Sequence, residues 1–146
     1  MPPAVVVEEI TEPTPEVHAS LSGLLSHLSN TEPPDLNELT SLARSPAITL
    51  LGARVDDRMV GTLTLAVFPL LTGTRAWIED VVVETESRGR GVATALVEEA
   101  LRRAERIGCR TVDLTSRPSR VEANRLYEKL GFERRETNVY RKKLLG

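Results

Sequence analysis

Apolar residues recur along this 146-residue chain with two different periods, and the switches between periods mark its elements. Residues 4–10 are a β-branched run that reads as an opening strand, with Thr-Glu-Pro-Thr-Pro as the turn after it. Thr14 is placed to cap a helix with Pro15 at its first position, where a missing N–H costs nothing. Val17, Leu21, Leu24, Leu25 and Leu28 then share one helical face. Residues 30–34 interrupt it, and a shorter helix is predicted over residues 36–43, stopped by Ser45-Pro46. Residues 48–55 and 59–68 are apolar strands on either side of Asp56-Asp57-Arg58, the pattern of a hairpin. A looser turn leads to a third strand over residues 75–83.

A short charged loop with Gly-x-Gly follows that strand and opens directly into a long helix. Its buried stripe is Val92, Ala93, Leu96, Val97, Ala100, Leu101, Ala104 and Ile107, and Gly108 closes it. Residues 111–116 read as another strand. Ser119-Arg120-Val121-Glu122 has the spacing of a capping box for a last helix with Ala123, Leu126 and Leu130 inward, ended by Gly131 with Phe132 folding back. Residues 132–145 are predicted to form one or two further strands. With no repeat, low-complexity segment or interdomain linker, the expectation is one α/β domain of mixed α+β character over residues 1–146.

Bulk properties narrow the classes. The chain is 40% hydrophobic and 27% charged with a net charge of −2, ordinary for a globular protein and no general drive toward nucleic acid. A single cysteine, Cys109, excludes an internal disulfide framework, and two scattered histidines argue against a metal site. No charged start followed by an apolar run and no long apolar span occur, so a cytoplasmic protein with no membrane partner is expected. Charge is uneven. Residues 1–57 hold nine acidic side chains against Arg44 and Arg54, whereas residues 58–146 hold twelve against seventeen basic ones. The glycine loop lies in the basic part, which suits a polyanionic ligand.

Strand, glycine loop and helix N-terminus together make an anion site, because the first turn of a helix has unpaired N–H groups and glycines admit an anion close to the backbone. The loop is not a P-loop, since Gly-x-x-x-x-Gly-Lys-Ser/Thr is absent. It is a poor dinucleotide fingerprint too, with Thr94 where the third glycine would stand. A tight turn that needs glycine for backbone reasons alone is the plain alternative.

Arg88-Gly89-Arg90-Gly91-Val92-Ala93 fits the Gln/Arg-x-x-Gly-x-Gly/Ala pattern of the GNAT-type N-acetyltransferases, and Ala123-Asn124-Arg125-Leu126-Tyr127-Glu128-Lys129-Leu130-Gly131-Phe132 resembles that superfamily's second signature. The order of predicted elements is similar as well. Around Ile78-Glu79-Asp80-Val81-Val82-Val83 the chain is similar to glucosamine-phosphate acetyltransferases, as to many other members. The resemblance implies a GNAT fold, a mostly antiparallel mixed sheet with a bulged strand at 79–83 that splays from its parallel neighbour, flanked by helices.

It also implies acetyl-CoA as co-substrate and a small-molecule or protein primary amine as acceptor, attacking the thioester directly in a ternary complex. Backbone N–H groups from Arg88 through Gly89, Arg90, Gly91, Val92 and Ala93 to Thr94 would face the pyrophosphate. Backbone groups of Val81 and Val83 would bond the pantetheine arm, with Val81 N–H at the thioester oxygen, and Asn124 beside them. Tyr127 would protonate the leaving thiolate. Glu79 would draw the amine proton, and strand spacing puts it on the face of Val81 with Asp80 opposite. Relatives of this kind often form homodimers through sheet edges or C-terminal strands. The alternatives are a non-catalytic GNAT-fold module that binds an acyl-CoA or a protein partner, and a nucleotide-dependent enzyme using the same loop.

Overall fold

Leucine-rich helical faces and β-branched strands here have to bury their apolar sides against each other, and the sheet is where they meet. A computed structural model describes residues 3–146, which divide into two units, up to Leu114 and from Thr115 onward.

In the first unit the order is β1 (Val5–Glu9), α1 (Pro15–Leu25), α2 (Leu36–Arg44), β2 (Ile48–Val55), β3 (Arg58–Leu70), β4 (Gly73–Val83), a 3₁₀ turn (Thr85–Ser87), α3 (Val92–Ile107) and β5 (Val112–Asp113). The five strands lie in sequence order, antiparallel except for the parallel pair β4–β5. This is the expected mixed sheet.

Helices cover both faces of that sheet. On one, Leu21 and Leu24 of α1 and Leu39 of α2 pack with Ile10, Leu50, Met59 and Val82. On the other lies the stripe of α3, where Val92, Leu96, Val97, Ala100 and Ala104 are buried. Gly61 on β3 lets that helix come close: a Cβ there would stand 2.9 Å from Val92 Cγ1 and 3.2 Å from Leu96 Cδ1.

The helix signals are met in part. Thr14 caps α1, its hydroxyl accepting from Val17 N–H at 3.1 Å, with proline in the first turn. A capping box forms at Asp35 and Glu38, at the start of α2, where none was expected.

The second unit contains α4 (Val121–Lys129). The box predicted at Ser119 and Glu122 does not form. Arg120 takes the N-cap position without a side-chain cap bond, so Glu122 is one residue early for the reciprocal pair. The end of α4 follows expectation: Gly131 has φ +97°, and Phe132 N–H returns to Tyr127 O at 2.9 Å. Residues 133–146 form no strand, because a strand exists only through a ladder and none of the observed ladders includes them.

Candidate functional site

β4 changes character halfway along. Its partner β3 matches Glu79 with Thr64 but Val82 with Thr62, so three steps on β4 face two on β3. The extra residue is a β-bulge, and Asp80 within it has φ +51°. A bulge reverses the alternation of faces. Ile78 pairs with Leu65, whereas Val82 joins Leu50 and Leu24 in the core under α1 and α2. Glu79 lies opposite Thr64, itself opposite Leu50, and therefore shares the α1/α2 face with Val82. Val83 lies opposite Gly61 on the α3 face, and Val81 shares it by alternation. Glu79 and Val81 thus point to opposite faces, which corrects the reading from strand spacing. The strict period of two does not survive the inserted residue.

The free edge of β4 lies beside this bulge. Glu84 N–H bonds Val60 O at 2.8 Å, so Val82, two residues earlier, also turns its N–H and C=O toward β3. Those of Val81 and Val83 turn the other way. On that side β5 pairs only with Ala76 and Trp77, and the ladder ends there.

Past the 3₁₀ turn, Gly89 and Gly91 have φ +82° and +79°, a region glycine enters without steric cost. Gly91 is the N-cap of α3 and has no side chain to cap with, and the helix has no acidic residue in its first turn. The first intrahelical bond runs from Ala95 N–H to Gly91 O at 3.0 Å. The N–H groups of Val92, Ala93 and Thr94 therefore have no acceptor within the helix. The contrast is internal to the molecule: α1 and α2 each have both a side-chain cap and a first-turn glutamate. Arg88 and Arg90 are exposed beside this N-terminus. Such an end attracts an anion.

On α4, Asn124 and Tyr127 are one turn apart. The Asn124 amide donates from Nδ2 to Arg117 O at 3.1 Å, which ties the helix to the segment before it. Tyr127 is buried and packs edge-on against Phe132. Burial pushes its phenol above the ordinary tyrosine range, partly offset by the positive charge of Arg120. A phenol held in this way stays protonated at neutral pH and can donate a proton.

Sequence reading missed Arg58, Glu84 and Ser87, which join one another just ahead of the glycine loop. No spacing rule could have found them, since Arg58 and Glu84 are 26 residues apart. Among the described residues no three His, Cys, Asp or Glu side chains gather as a metal site, and no helix is long and apolar enough to cross a membrane.

A family model described as the acetyltransferase (GNAT) family matches residues 10–132. The chain belongs to the GNAT acetyltransferase family. This GNAT chain is 35% identical over 124 residues to the glucosamine 6-phosphate N-acetyltransferase of Trypanosoma brucei brucei, covering 80% of this chain and 82% of that protein. It is 30% identical over 129 residues to glucosamine 6-phosphate N-acetyltransferase 1 of Oryza sativa subsp. japonica, covering 80% and 75%. Among solved structures, a Trypanosoma brucei acetyltransferase is 28% identical with a TM-score of 0.80, over 96% of this chain and 100% of that one. An aminoglycoside acetyltransferase from an uncultured soil metagenomic sample shares the fold, with a TM-score of 0.85 at 20% identity and 97% of each chain covered. This GNAT protein is an N-acetyltransferase that takes its acetyl group from acetyl-CoA and passes it to an amine.

Proposed function

We propose that the GNAT chain acts as one catalytic domain in which α3 receives the cofactor's pyrophosphate and the bulged end of β4 receives its thioester arm. The family match across residues 10–132 supports treating both units as one domain. The observation that carries the cofactor reading is the N-terminus of α3, with no side-chain cap, no first-turn acid and two left-handed glycines ahead of it. The pyrophosphate lies on the N–H groups from Arg88 to Thr94, and the Thr94 hydroxyl adds a donor. The pantetheine arm pairs with the backbone of Val81 and Val83 as an added strand would, and with Asn124.

The amine attacks the thioester carbonyl. Val81 N–H holds the developing oxyanion, and as the tetrahedral intermediate collapses Tyr127 gives its proton to the leaving thiolate. Glu79 takes the ammonium proton, directly or through water. Its place on the face of α1 and α2 supports this role, if the acceptor approaches past those helices.

The acceptor itself is a primary amine of cationic character, such as a polyamine, an aminoglycoside or a protein lysine. Residues 1–57 support this, since their only basic side chains, Arg44 and Arg54, are paired with Glu12 and Glu8 at 3.3 and 2.8 Å. A second reading, glucosamine 6-phosphate, is supported by the activity in the names of the two relatives. A panel of amines incubated with acetyl-CoA separates them: acetylation of glucosamine 6-phosphate in preference to every cationic amine would overturn the first reading. Binding of acetyl-CoA with no acetylated product from any amine would instead favour a non-catalytic module. The protein is further proposed to be cytoplasmic and homodimeric, which fractionation and sedimentation test directly.

A further inference from the structure

The Glu84 carboxylate stands where a negative charge is least expected, a few residues ahead of an anion-binding loop. Its Oε1 accepts from the Ser87 hydroxyl at 2.9 Å, and Arg58 holds both oxygens, Nη1 donating to Oε2 at 3.0 Å and Nη2 to Oε1. Ser87 is 2% exposed, whereas the Arg58 side chain is 65% exposed. Backbone bonds run alongside: Glu84 N–H to Val60 O at 2.8 Å, Ser87 N–H to Glu84 O at 3.0 Å and Arg88 N–H to Thr85 O at 3.3 Å. Arg58 follows the hairpin turn at Asp56-Asp57, whose φ angles are +50° and +62°, and Arg54 Nη1 steadies that turn by donating to Asp57 O at 2.7 Å. One carboxylate therefore fastens the β2–β3 hairpin to the turn that launches residues 88–91.

Stability alone is a weak reason for this arrangement, because the Arg58 side chain is 65% exposed and water screens its half of the pair, although that of Glu84 is only 15% exposed. The loop has a stronger need. Gly89 and Gly91 reach left-handed φ without cost, yet glycines reach many other conformations equally cheaply. A loop that must present its N–H groups to an anion loses affinity for every alternative shape it samples, unless something outside it selects one. The buried Ser87 hydroxyl, bonded to a carboxylate that Arg58 both orients and neutralises, is such a selector.

We propose that Glu84, oriented by Arg58, is a positioning residue that acts through Ser87 to preset the Arg88–Gly91 loop for the phosphates of coenzyme A. The proposal rests on the reading of that loop as the cofactor's phosphate site.

Its test compares coenzyme A with pantetheine, which lacks the nucleotide and its phosphates, by calorimetry on folded protein checked by circular dichroism. Ser87→Ala and Glu84→Gln are each expected to raise Kd for coenzyme A about tenfold, a loss of one charge-assisted hydrogen bond, and to leave that for pantetheine within about twofold. Arg58→Lys, which keeps the charge but not the two-pronged grip, is expected to fall between wild type and Glu84→Gln. Unchanged affinity for coenzyme A in both variants, or an equal loss for pantetheine, overturns the proposal. If Ser87→Ala does not fold, Glu84→Gln decides alone. Gly91→Glu separates the underlying reading: retained coenzyme A affinity there shows that the loop is not the phosphate site, whatever Glu84 does.

Discussion

Tyr127 and Phe132 meet edge to face, with ring centroids 5.9 Å apart and planes inclined at 68°. Gly131 makes the contact, since its left-handed φ turns the chain back after α4 and brings Phe132 N–H to Tyr127 O. The phenol is thereby fixed in direction as well as buried. Tyr127→Phe keeps the ring and removes only the hydroxyl that would supply the proton. It is expected to lower kcat by about a hundredfold or more, the usual worth of a general acid, with Kd for acetyl-CoA nearly intact. Steady-state kinetics beside calorimetry checks both, and unchanged turnover removes Tyr127 from the acid role.

As the proposed acid, the same phenol would set an alkaline limit. Its value is raised in the folded protein, first by burial. Its contribution to folding is therefore present below the unfolded value of about 10 and is lost as pH rises through the higher folded value. If Tyr127 is the acid, kcat falls only above the ordinary tyrosine range. Tyr127→Phe is expected to abolish that fall, and a decline already complete by about pH 9 would count against the assignment.

Gly91→Glu puts bulk and a negative charge at the N-terminus of α3, on a residue whose φ of +79° strains any side chain. An expected rise in Kd for coenzyme A of at least about a hundredfold combines lost dipole attraction with repulsion of the phosphates. Titration calorimetry reads it.

Gly61→Ala tests the approach of α3 to the sheet. The new methyl would meet Val92 and Leu96 and stand 3.2 Å from the Val82 carbonyl, a backbone atom that cannot move aside alone. Overpacking of this kind costs about 1–3 kcal/mol, to be read as a lowered urea midpoint. A midpoint equal to wild type would show that α3 yields freely.

Glu99 on α3 accepts from Arg103 Nε at 2.8 Å and Arg102 Nε at 3.0 Å. The Arg103 bond, more than any other influence, holds its carboxyl below the usual range; burial works against it and Arg102 adds to it. Because the folded value is depressed, the stabilisation is present above the unfolded value of about 4.3 and is lost as pH falls through the folded one. Glu99→Gln should cost about 1 kcal/mol at pH 7, and the gap in Tm to wild type should close as the buffer is taken below about pH 4. A gap independent of pH would mean that packing, not charge, is responsible.

Much of this protein was legible before any coordinates, where the signal is local or periodic. Thr14 and Pro15 started α1 as read, the stripe from Val92 to Ala104 buried its face, and Gly108 closed α3 with φ +94°. The two glycines and the helix that follows them were equally plain, because loop and helix start lie within one short stretch of backbone. Residues distant in sequence decided the rest. Whether Glu79 shares a face with Val81 depends on how β4 is matched to β3, and one inserted residue at the bulge reversed it. Arg120 rather than Ser119 became the cap of α4, a shift of one residue that removed the predicted box. Residues 133–146 have apolar pairs at Val139-Tyr140 and Leu144-Leu145 but no ladder partner. Glu84 looked like any loop carboxylate until the hairpin brought Arg58 to it across 26 residues. Propensity and period belong to a segment, whereas register, face and ion pairing belong to the partner it meets, and only the folded chain chooses the partner.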